Sequence, residues 1–411
     1  MAGHEGTGEA GRRGSDVRSE CWVAVELRES GGIQLELASK VGVLFGTSIR
    51  QGIQDTLAAF DIENVHVQVD DQGALPWVIQ ARLEAALRRA GMNALGDARP
   101  QARAHPRPHG TPKDRLRRSR LYLPGDEPKF AVNAGLHGPD GVILDLEDSV
   151  HPNEKDAARI MVRNALRCVD FGQAERMVRI NQGEQGLEDL EVVVPEGPEM
   201  ILIPKVETSG QVKRVQARID SVQKARGLTQ PIWLMPILES AQGVENAVHI
   251  ALASPFVAAV TIGLEDYTAD LGVVKTSEGT ESLWARSRLL NAARAAGVQA
   301  IDSVYGDVAD QEGLLTWGKR SRGMGFQGMG CIHPRQIRVI HEAFAPDAEE
   351  IKKALRIVKA FQEAEEKGLG VVSLGSKMID RPVVLRARKL VDQAREAGLI
   401  PANEGEGGVT S

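Results

Sequence analysis

Apolar residues gather into eight short runs between about residues 120 and 335: LYLPG (121–125), GVILDLED (141–148), MVRIN (177–181), MILIPK (200–205), IWLMPILE (232–239), VAAVTIGLED (257–266), VQAID (298–302) and MGCIHP (329–334). Each is almost continuously apolar and rich in Val, Ile or Leu, the pattern of parallel strands covered on both faces rather than of a sheet with one wet face. Amphipathic stretches separate the runs. In NEKDAARIMVRNALRCV, AQGVENAVHIALAS and ESLWARSRLLNAARAAG the apolar residues recur at three and four, the spacing of one helix face. Strand and helix therefore alternate, which predicts a parallel α/β fold. A doubly wound open sheet would alternate in the same way, but a count of eight favours a (β/α)8 TIM barrel over residues 117–345. In such a barrel the strand ends that carry charged residues form the carboxyl-terminal rim, where active sites sit.

The amino-terminal part has a different rhythm. CWVAVEL and IQLELAS alternate as strands, VGVLFGTSIRQGIQDTLAAF reads as a helix, VHVQVDD as a strand and PWVIQARLEAALRRAG as a second helix. This predicts a small α+β module over residues 18–96 with its own core. Ahead of it, residues 1–17 are rich in Gly and charge and are expected to be disordered. Residues 97–116 repeat Pro and Arg and cannot pack a core, so they read as a semi-extended tether that leaves the module free to move. With no aromatics interleaved, the basic character of this stretch is a weak signal for nucleic acid. Residues 346–400 are a largely helical extension interrupted by GLGVVSLGSKMID, a loop or lid, with a helix beginning near Pro382. The tail, 401–411, is expected to be mobile.

Composition narrows the function classes. The 411 residues, 42% hydrophobic, can bury one large core and one small one, and the net charge of −6 argues against nucleic acid as a partner. Cys21, Cys168 and Cys331 are too few and too scattered for a disulfide framework or a metal cluster. No apolar stretch approaches the roughly 18 residues of a membrane helix, and the amino terminus lacks the apolar core of a signal peptide. A cytoplasmic protein with no membrane partner is the expectation.

Two carboxylates stand out. Glu239 closes IWLMPILE and Asp266 closes VAAVTIGLED, so consecutive strands end in oxygen ligands of the kind a hard divalent cation such as Mg²⁺ takes, with substrate oxygens and waters completing the shell. The alternative is that they cap helices or pair with Arg or Lys at the rim. Arg179 sits in the otherwise apolar run MVRIN, where its charge needs a carboxylate: that of a substrate held by its fork, or Glu147, Asp148 or Glu239. Arg118 is a similar case just before the first strand. Alternation puts Asp145 and Glu147 on one face, which demands a cation, an arginine or a raised pKa; Lys205, with Arg179, could meet that demand as a supporting group around the site. Lys205 could also suggest a Schiff-base aldolase. His333, before Pro334, reads more readily as a structural hydrogen-bonding group than as a catalyst.

At these residues the chain resembles the citrate lyase β-subunit family, within the wider group of HpcH/HpaI-type and malyl-CoA lyase-like barrels. The likeness is carried by RRSRLYLPGDEPKF, GVILDLEDSVHPNEKDAAR, MVRIN, LIPKVE, ILESAQG, TIGLEDYTADLG, CIHPRQI and MIDRPVV. The resemblance implies that Glu239 and Asp266 are metal ligands, that Arg179 binds substrate, that Glu239 also contacts it and that Arg118 is a further substrate arginine. It also implies that Asp380 in MIDRP completes the site of a neighbouring subunit, in a homotrimer or hexamer. The amino-terminal module is similar to the citrate lyase acyl carrier protein, the γ subunit. That likeness implies a phosphoribosyl-dephospho-CoA arm on a serine just before the first strand. Spacing points to Ser19 in Ser19-Glu20-Cys21, with Ser15 in Gly14-Ser15-Asp16 as the alternative.

The activity so implied is Mg²⁺-dependent cleavage of a 3-hydroxy acyl thioester, with citryl on the carrier arm giving oxaloacetate, or a similar oxo acid, and an acetyl thioester. A citrate lyase α-type transferase is the expected partner subunit. A free-CoA lyase or thioesterase for malyl-CoA or citramalyl-CoA with a vestigial carrier module is the nearest rival, and a non-catalytic assembly subunit is the rival of another class.

Overall fold

The computed structural model describes residues 6–92, 99–102, 110–366, 372–374, 377–396 and 398–401. The chain divides into two compact units, Met1–Ile340 and His341–Ser411.

The first unit opens with the small module. Its strands β1 (Thr7–Gly11), β2 (Cys21–Leu27), β3 (Ile33–Ser39) and β4 (Val65–Asp71) form one sheet in the order β1-β2-β4-β3. The β3–β4 pair is parallel and so needs a crossover, which α1 (Gly42–Ala59) supplies. Helix α2 (Pro76–Arg89) begins on a proline, whose missing N–H costs nothing at that position. Val23, Val25, Val65, Val67 and Val69 are buried on the covered face, as period-two alternation requires. Strand β1 departs from expectation, since its residues lie in the segment whose composition suggested disorder. Its small residues explain it: a Cβ on Gly8 would meet the Ala86 carbonyl at 2.2 Å, so glycine lets this edge strand lie against α2 while pairing with Val25 of β2. Residues 1–5 lie outside the described part of the chain.

The eight apolar runs all become strands: β5 (Ser119–Pro124), β6 (Gly141–Asp145), β7 (Glu175–Arg179), β8 (Met200–Ile203), β9 (Trp233–Leu238), β10 (Ala259–Ile262), β11 (Gln299–Ile301) and β12 (Met329–Cys331). They are parallel and ordered β11-β10-β9-β8-β7-β6-β5-β12. A parallel bridge between Asp302 and Met329, with the Asp302 N–H donating to Gly328 O at 2.8 Å, closes the ring. Around it lie α3 (Pro128–Ala131), α4 (Lys155–Cys168), α5 (Gly183–Val193), α6 (Ser209–Arg226), α7 (Ala241–Glu245), α8 (Ala247–Ala251), α9 (Leu264–Leu271), α10 (Leu283–Ala296), α11 (Gln311–Met324) and α12 (Arg335–Phe344). The lumen is a packed core of Ile143, Met177, Met200, Leu202, Met235 and Ile301 rather than a pore. Its amino-terminal mouth is plugged by Arg117, forked onto Glu175 at 2.7 and 2.8 Å.

The module is docked on the barrel, not swinging from it. Glu84 of α2 accepts from Arg163 of α4 at 2.7 and 3.1 Å, and Asn164 donates to Trp77 O at 3.0 Å. Arg82 pairs with Glu20 at 2.5 Å and also reaches the Asp126 carbonyl at 2.8 Å, just beyond the end of β5. Arg82 and Glu84 are each 1% exposed. Charges stripped of water in this way must stay paired, which overrides the freedom that a Pro/Arg-rich connection would allow; residues 97–98 and 103–109 of that connection lie outside the described part.

In the second unit, α13 (Ala348–Glu365) starts at a capping box made by Asp347 and Glu350. It packs with α14 (Arg381–Glu396) through Ile357, Val358, Phe361, Val384 and Val391. Between them the described residues form a hairpin, β13 (Val372–Leu374) with β14 (Lys377–Ile379), where the glycine content suggested a loop or lid. No helix among the described residues is long and apolar enough to cross a membrane.

Candidate active site

The strand ends build a site around one arginine. Arg179, the last residue of β7, is flanked in register by Asp145, the last residue of β6. Its Nε and Nη2 donate to the two Asp145 oxygens at 2.6 and 2.7 Å, and Nη1 lies 2.9 Å from Glu147 Oε2. The Tyr122 ring lies 5.3 Å from the guanidinium carbon. Asp145 also accepts the Glu147 and Ser149 backbone N–H groups, so its place is fixed independently of the arginine. Burial opposes ionisation of Asp145, but the Arg179 fork outweighs it and holds the carboxyl below its ordinary value. The demand for a cation between Asp145 and Glu147 is thus met by Arg179, with Gln182 donating to Glu147 Oε1 at 2.8 Å.

Glu239 follows the last residue of β9 and is 5% exposed. Its Oε1 accepts the backbone N–H of Lys205 at 2.7 Å. Lys205 stands just past β8 with φ +47°, a left-handed conformation that a non-glycine residue adopts only under constraint. On the other side, a Cβ on Gly263 would lie 2.4 Å from Glu239 Oε2, so only glycine leaves the carboxylate its place. Burial pushes the Glu239 carboxyl up to about 8; the Lys205 N–H works against this, and the nearby Asp266 and Glu147 charges work with it.

Asp266 does not close a strand as its run suggested. Strand β10 ends at Ile262, and Asp266 falls in the first turn of α9, with its side chain 42% exposed. The helix amino terminus favours a negative group there. Lys205 Nζ stands 3.4, 3.5 and 3.7 Å from Glu147, Asp148 and Asp266. Burial works against its charge, but these three carboxylates outweigh it and raise its pKa. An amine held protonated in this way is unsuited to Schiff-base chemistry, which needs it neutral.

Glu239, Asp266, Arg179, Asp145 and Asp148 line one cavity of about 460 Å³. Among the described residues no group of three or more His, Cys, Asp or Glu could hold a metal by itself. Two carboxylates facing a cavity do fit a hard divalent ion that takes its remaining oxygens from substrate and water. A buried acid raised to about 8 beside a second carboxylate is also a group that a cation would relieve.

Other expected residues lie elsewhere. Arg118 precedes β5 at the amino-terminal end of the strands and is forked onto Asp140 at 2.8 and 2.9 Å, so its charge is spent away from the catalytic rim. His333 Nδ1 accepts the Arg335 N–H at 3.1 Å, a local turn contact. Asp380 lies in the second unit, where its Oδ1 accepts the Val383 N–H at 3.3 Å at the start of α14. Ser15 and Ser19 both fall between β1 and β2, because the first strand starts at Thr7. Ser15 is exposed in a turn, whereas Ser19 is half-buried at φ +53° with its N–H donating to Gln72 O. Two charged residues lining the cavity were not singled out from the sequence, Asp302, which is paired with Arg286 at 2.5 Å, and Arg120. The signal for Arg120 was the one used for Arg179, an arginine at the edge of an apolar run, but it was hidden behind the basic stretch RLRR.

The model of the HpcH/HpaI aldolase/citrate lyase family matches residues 118–334, and that of the malonate decarboxylase delta subunit (MdcD), an acyl-carrier type, matches residues 9–90. Citrate lyase subunit beta of Leuconostoc mesenteroides subsp. cremoris is 39% identical over 296 residues, 70% of this chain and 96% of its own length. The human mitochondrial citramalyl-CoA lyase is 35% identical over 290 residues, 68% of this chain and 85% of its own. The structure of CitE from Mycobacterium tuberculosis with magnesium, acetoacetate and coenzyme A is similar with a TM-score of 0.57 at 30% identity, covering 69% of this chain and 98% of that one. Barrel, strand ends and matched residues agree: the chain belongs to the HpcH/HpaI aldolase/citrate lyase family of carbon–carbon lyases.

Proposed function

We propose that this lyase is Mg²⁺-dependent and cleaves a 3-hydroxy-3-carboxy acyl thioester, citryl carried on its own module being the leading case, into oxaloacetate and an acetyl thioester. The observation that carries the reading is the pairing, in one cavity, of the two cavity-lining carboxylates Glu239 and Asp266 with the fixed guanidinium of Arg179. A magnesium ion held by Glu239 and Asp266 would supply Lewis-acid stabilisation of negative charge on the substrate hydroxyl and its adjacent carboxylate. The protein groups do the rest. A base takes the hydroxyl proton, the carbon–carbon bond breaks as the new carbonyl forms, and the electron pair moves onto the thioester as an enolate that is then protonated. Arg179 is locked by Asp145 and Glu147 and needs no reorganisation to face the charge that develops. Lys205 keeps the acidic rim from repelling an anionic substrate. For the base we favour Asp380 of a neighbouring copy, which makes a homotrimer or hexamer part of the reading.

The arm, phosphoribosyl-dephospho-CoA in the related carriers, would sit on Ser15 in preference to Ser19, because Ser15 is exposed in its turn. A citrate lyase α-type transferase would load it. The coenzyme A in the similar M. tuberculosis structure and the similarity to citramalyl-CoA lyase favour a second reading in which free CoA thioesters are the substrates. The test is a panel of hydroxyacyl thioesters with and without EDTA, run beside mass spectrometry of protein from its native host. Asp266→Ala should abolish EDTA-sensitive cleavage with the fold intact, and cleavage retained by that variant would refute the metal assignment. An unmodified Ser15 and Ser19 with turnover of free CoA thioesters would decide for the second reading.

A further inference from the structure

Arg120 is the anomaly of the barrel interior. It is 1% exposed and projects from β5 on the same face as Tyr122. Its register neighbours on the two adjoining strands are glycines, Gly141 of β6 and Gly330 of β12, which leave its side chain room to cross the lumen. Among the described residues Nη1 meets only Met235 Sδ at 2.8 Å and Nη2 only Thr261 Oγ1 at 3.3 Å, while Nε has no partner. The other fully buried guanidiniums are served differently: Arg82 has Glu20, Arg117 has Glu175 and Arg286 has Asp302, each within 2.7 Å. A guanidinium without a counter-charge in such surroundings costs several kcal/mol. It stays protonated all the same, so the fold carries an unspent positive charge.

That charge lines the cavity which holds Glu239, Asp266 and Arg179. Thr261, which Arg120 touches, is two residues below Gly263, the glycine set against Glu239 Oε2. Gly263 directly follows β10 with an extended backbone, so the two positions lie about 7 Å apart, the span of a four-carbon dicarboxylate plus a hydrogen bond. We propose that Arg120 is an anion subsite on the cavity floor, taking a second carboxylate on the oxo-acid half of the substrate and so selecting dicarboxylic oxo acids over pyruvate-like or glyoxylate-like ones. This rests on the lyase reading above and specifies the half of the substrate that the barrel recognises.

Malate and lactate test it, since both offer a hydroxyl next to a carboxylate and only malate adds the second carboxylate. In calorimetric titrations of the full chain with Mg²⁺, malate should bind ~100-fold tighter than lactate, the worth of a desolvated charge-assisted pair. Arg120→Met should remove most of that preference and leave lactate affinity unchanged, and Arg120→Lys should fall between. The unchanged lactate affinity shows that the site is still folded; if Arg120→Met does not fold, Arg120→Lys supplies the comparison, and a malate preference undiminished in it overturns the subsite. Equal affinities in the unaltered protein, or a malate preference that survives Arg120→Met, would overturn the subsite and leave the lyase reading standing. Failure of both acids to bind with Mg²⁺ present would overturn both.

Discussion

Raising the pH of the metal-free protein from about 5 to about 9 should destabilise it, and magnesium should reverse the loss. The cause is Glu239, whose carboxyl is pushed from an ordinary 4.5 up to about 8 by burial and by the Asp266 and Glu147 charges. A carboxyl raised by folding keeps its proton longer in the native state than in the unfolded chain. Its stabilising share is complete below 4.5 and is lost as the pH climbs through about 8. At about 1.4 kcal/mol for each pH unit the full loss cannot exceed ~5 kcal/mol, and about half of that is expected once protein relaxation raises the effective dielectric. For a chain of this size ~2 kcal/mol moves the melting temperature by a few degrees. Thermal unfolding with EDTA or with Mg²⁺ at both pH values is the assay. The Mg²⁺ stabilisation should be larger at the higher pH, where no proton has to leave Glu239 before the ion binds. Glu239→Gln should erase both the pH dependence and the Mg²⁺ effect. Equal Mg²⁺ shifts at the two pH values, with a Glu239→Gln protein behaving like its parent, would refute the reasoning.

Arg179→Met should lower turnover at least ~100-fold and cost about 3–5 kcal/mol in urea unfolding, because Asp145, with its side chain 1% exposed, loses its counter-charge; a change below about 1 kcal/mol would show that Asp145 is held by its backbone donors alone. Glu84→Ala leaves Arg163 with Asn164 but without a counter-charge at the junction of α2 and α4, so limited trypsin digestion should cut the Pro/Arg-rich connection several-fold faster than in the parent, and an unchanged rate would mean that the salt bridge does not hold the module down.

Much of this was legible in the sequence because it is local. Continuous apolar runs of this length, alternating with amphipathic stretches, read as buried strands, and all eight contribute a strand to the closed sheet. Glu239 and Arg179 were readable because a charge at the end of such a run has one destination, the rim. What failed depended on contacts distant in sequence. Arg118 and Arg120 are two residues apart, and no periodicity says which is spent on Asp140 at the quiet end of the barrel and which crosses the lumen. The helical position of Asp266 turned on how early β10 ends. Strand β1 was invisible because its stability lies in close backbone approach to α2 and not in apolar side chains.

The docking of the module changes what a carrier can do in this chain. A freely tethered carrier divides its time among sites in proportion to its reach, whereas a fixed one gives that reach up for a high effective concentration at one place. Here the fixing contacts converge on the turn after β5. Arg82, held by Glu20, donates to the Asp126 carbonyl, and Arg12 pairs with Asp126 at 2.9 Å and with Glu127. Pro124, the last residue of β5, lines the same cavity as Arg179 and Glu239. Ser15 follows Arg12 by three residues, and Ser19 directly precedes Glu20. If an arm is attached as proposed, either serine would root it within a few residues of Arg12 or Glu20, the groups that tie the module to this loop, and the acyl group would not need to search widely for the cleaving site. Under the proposed function a transferase partner would then have to come to the arm, because the module is held in place by buried charge.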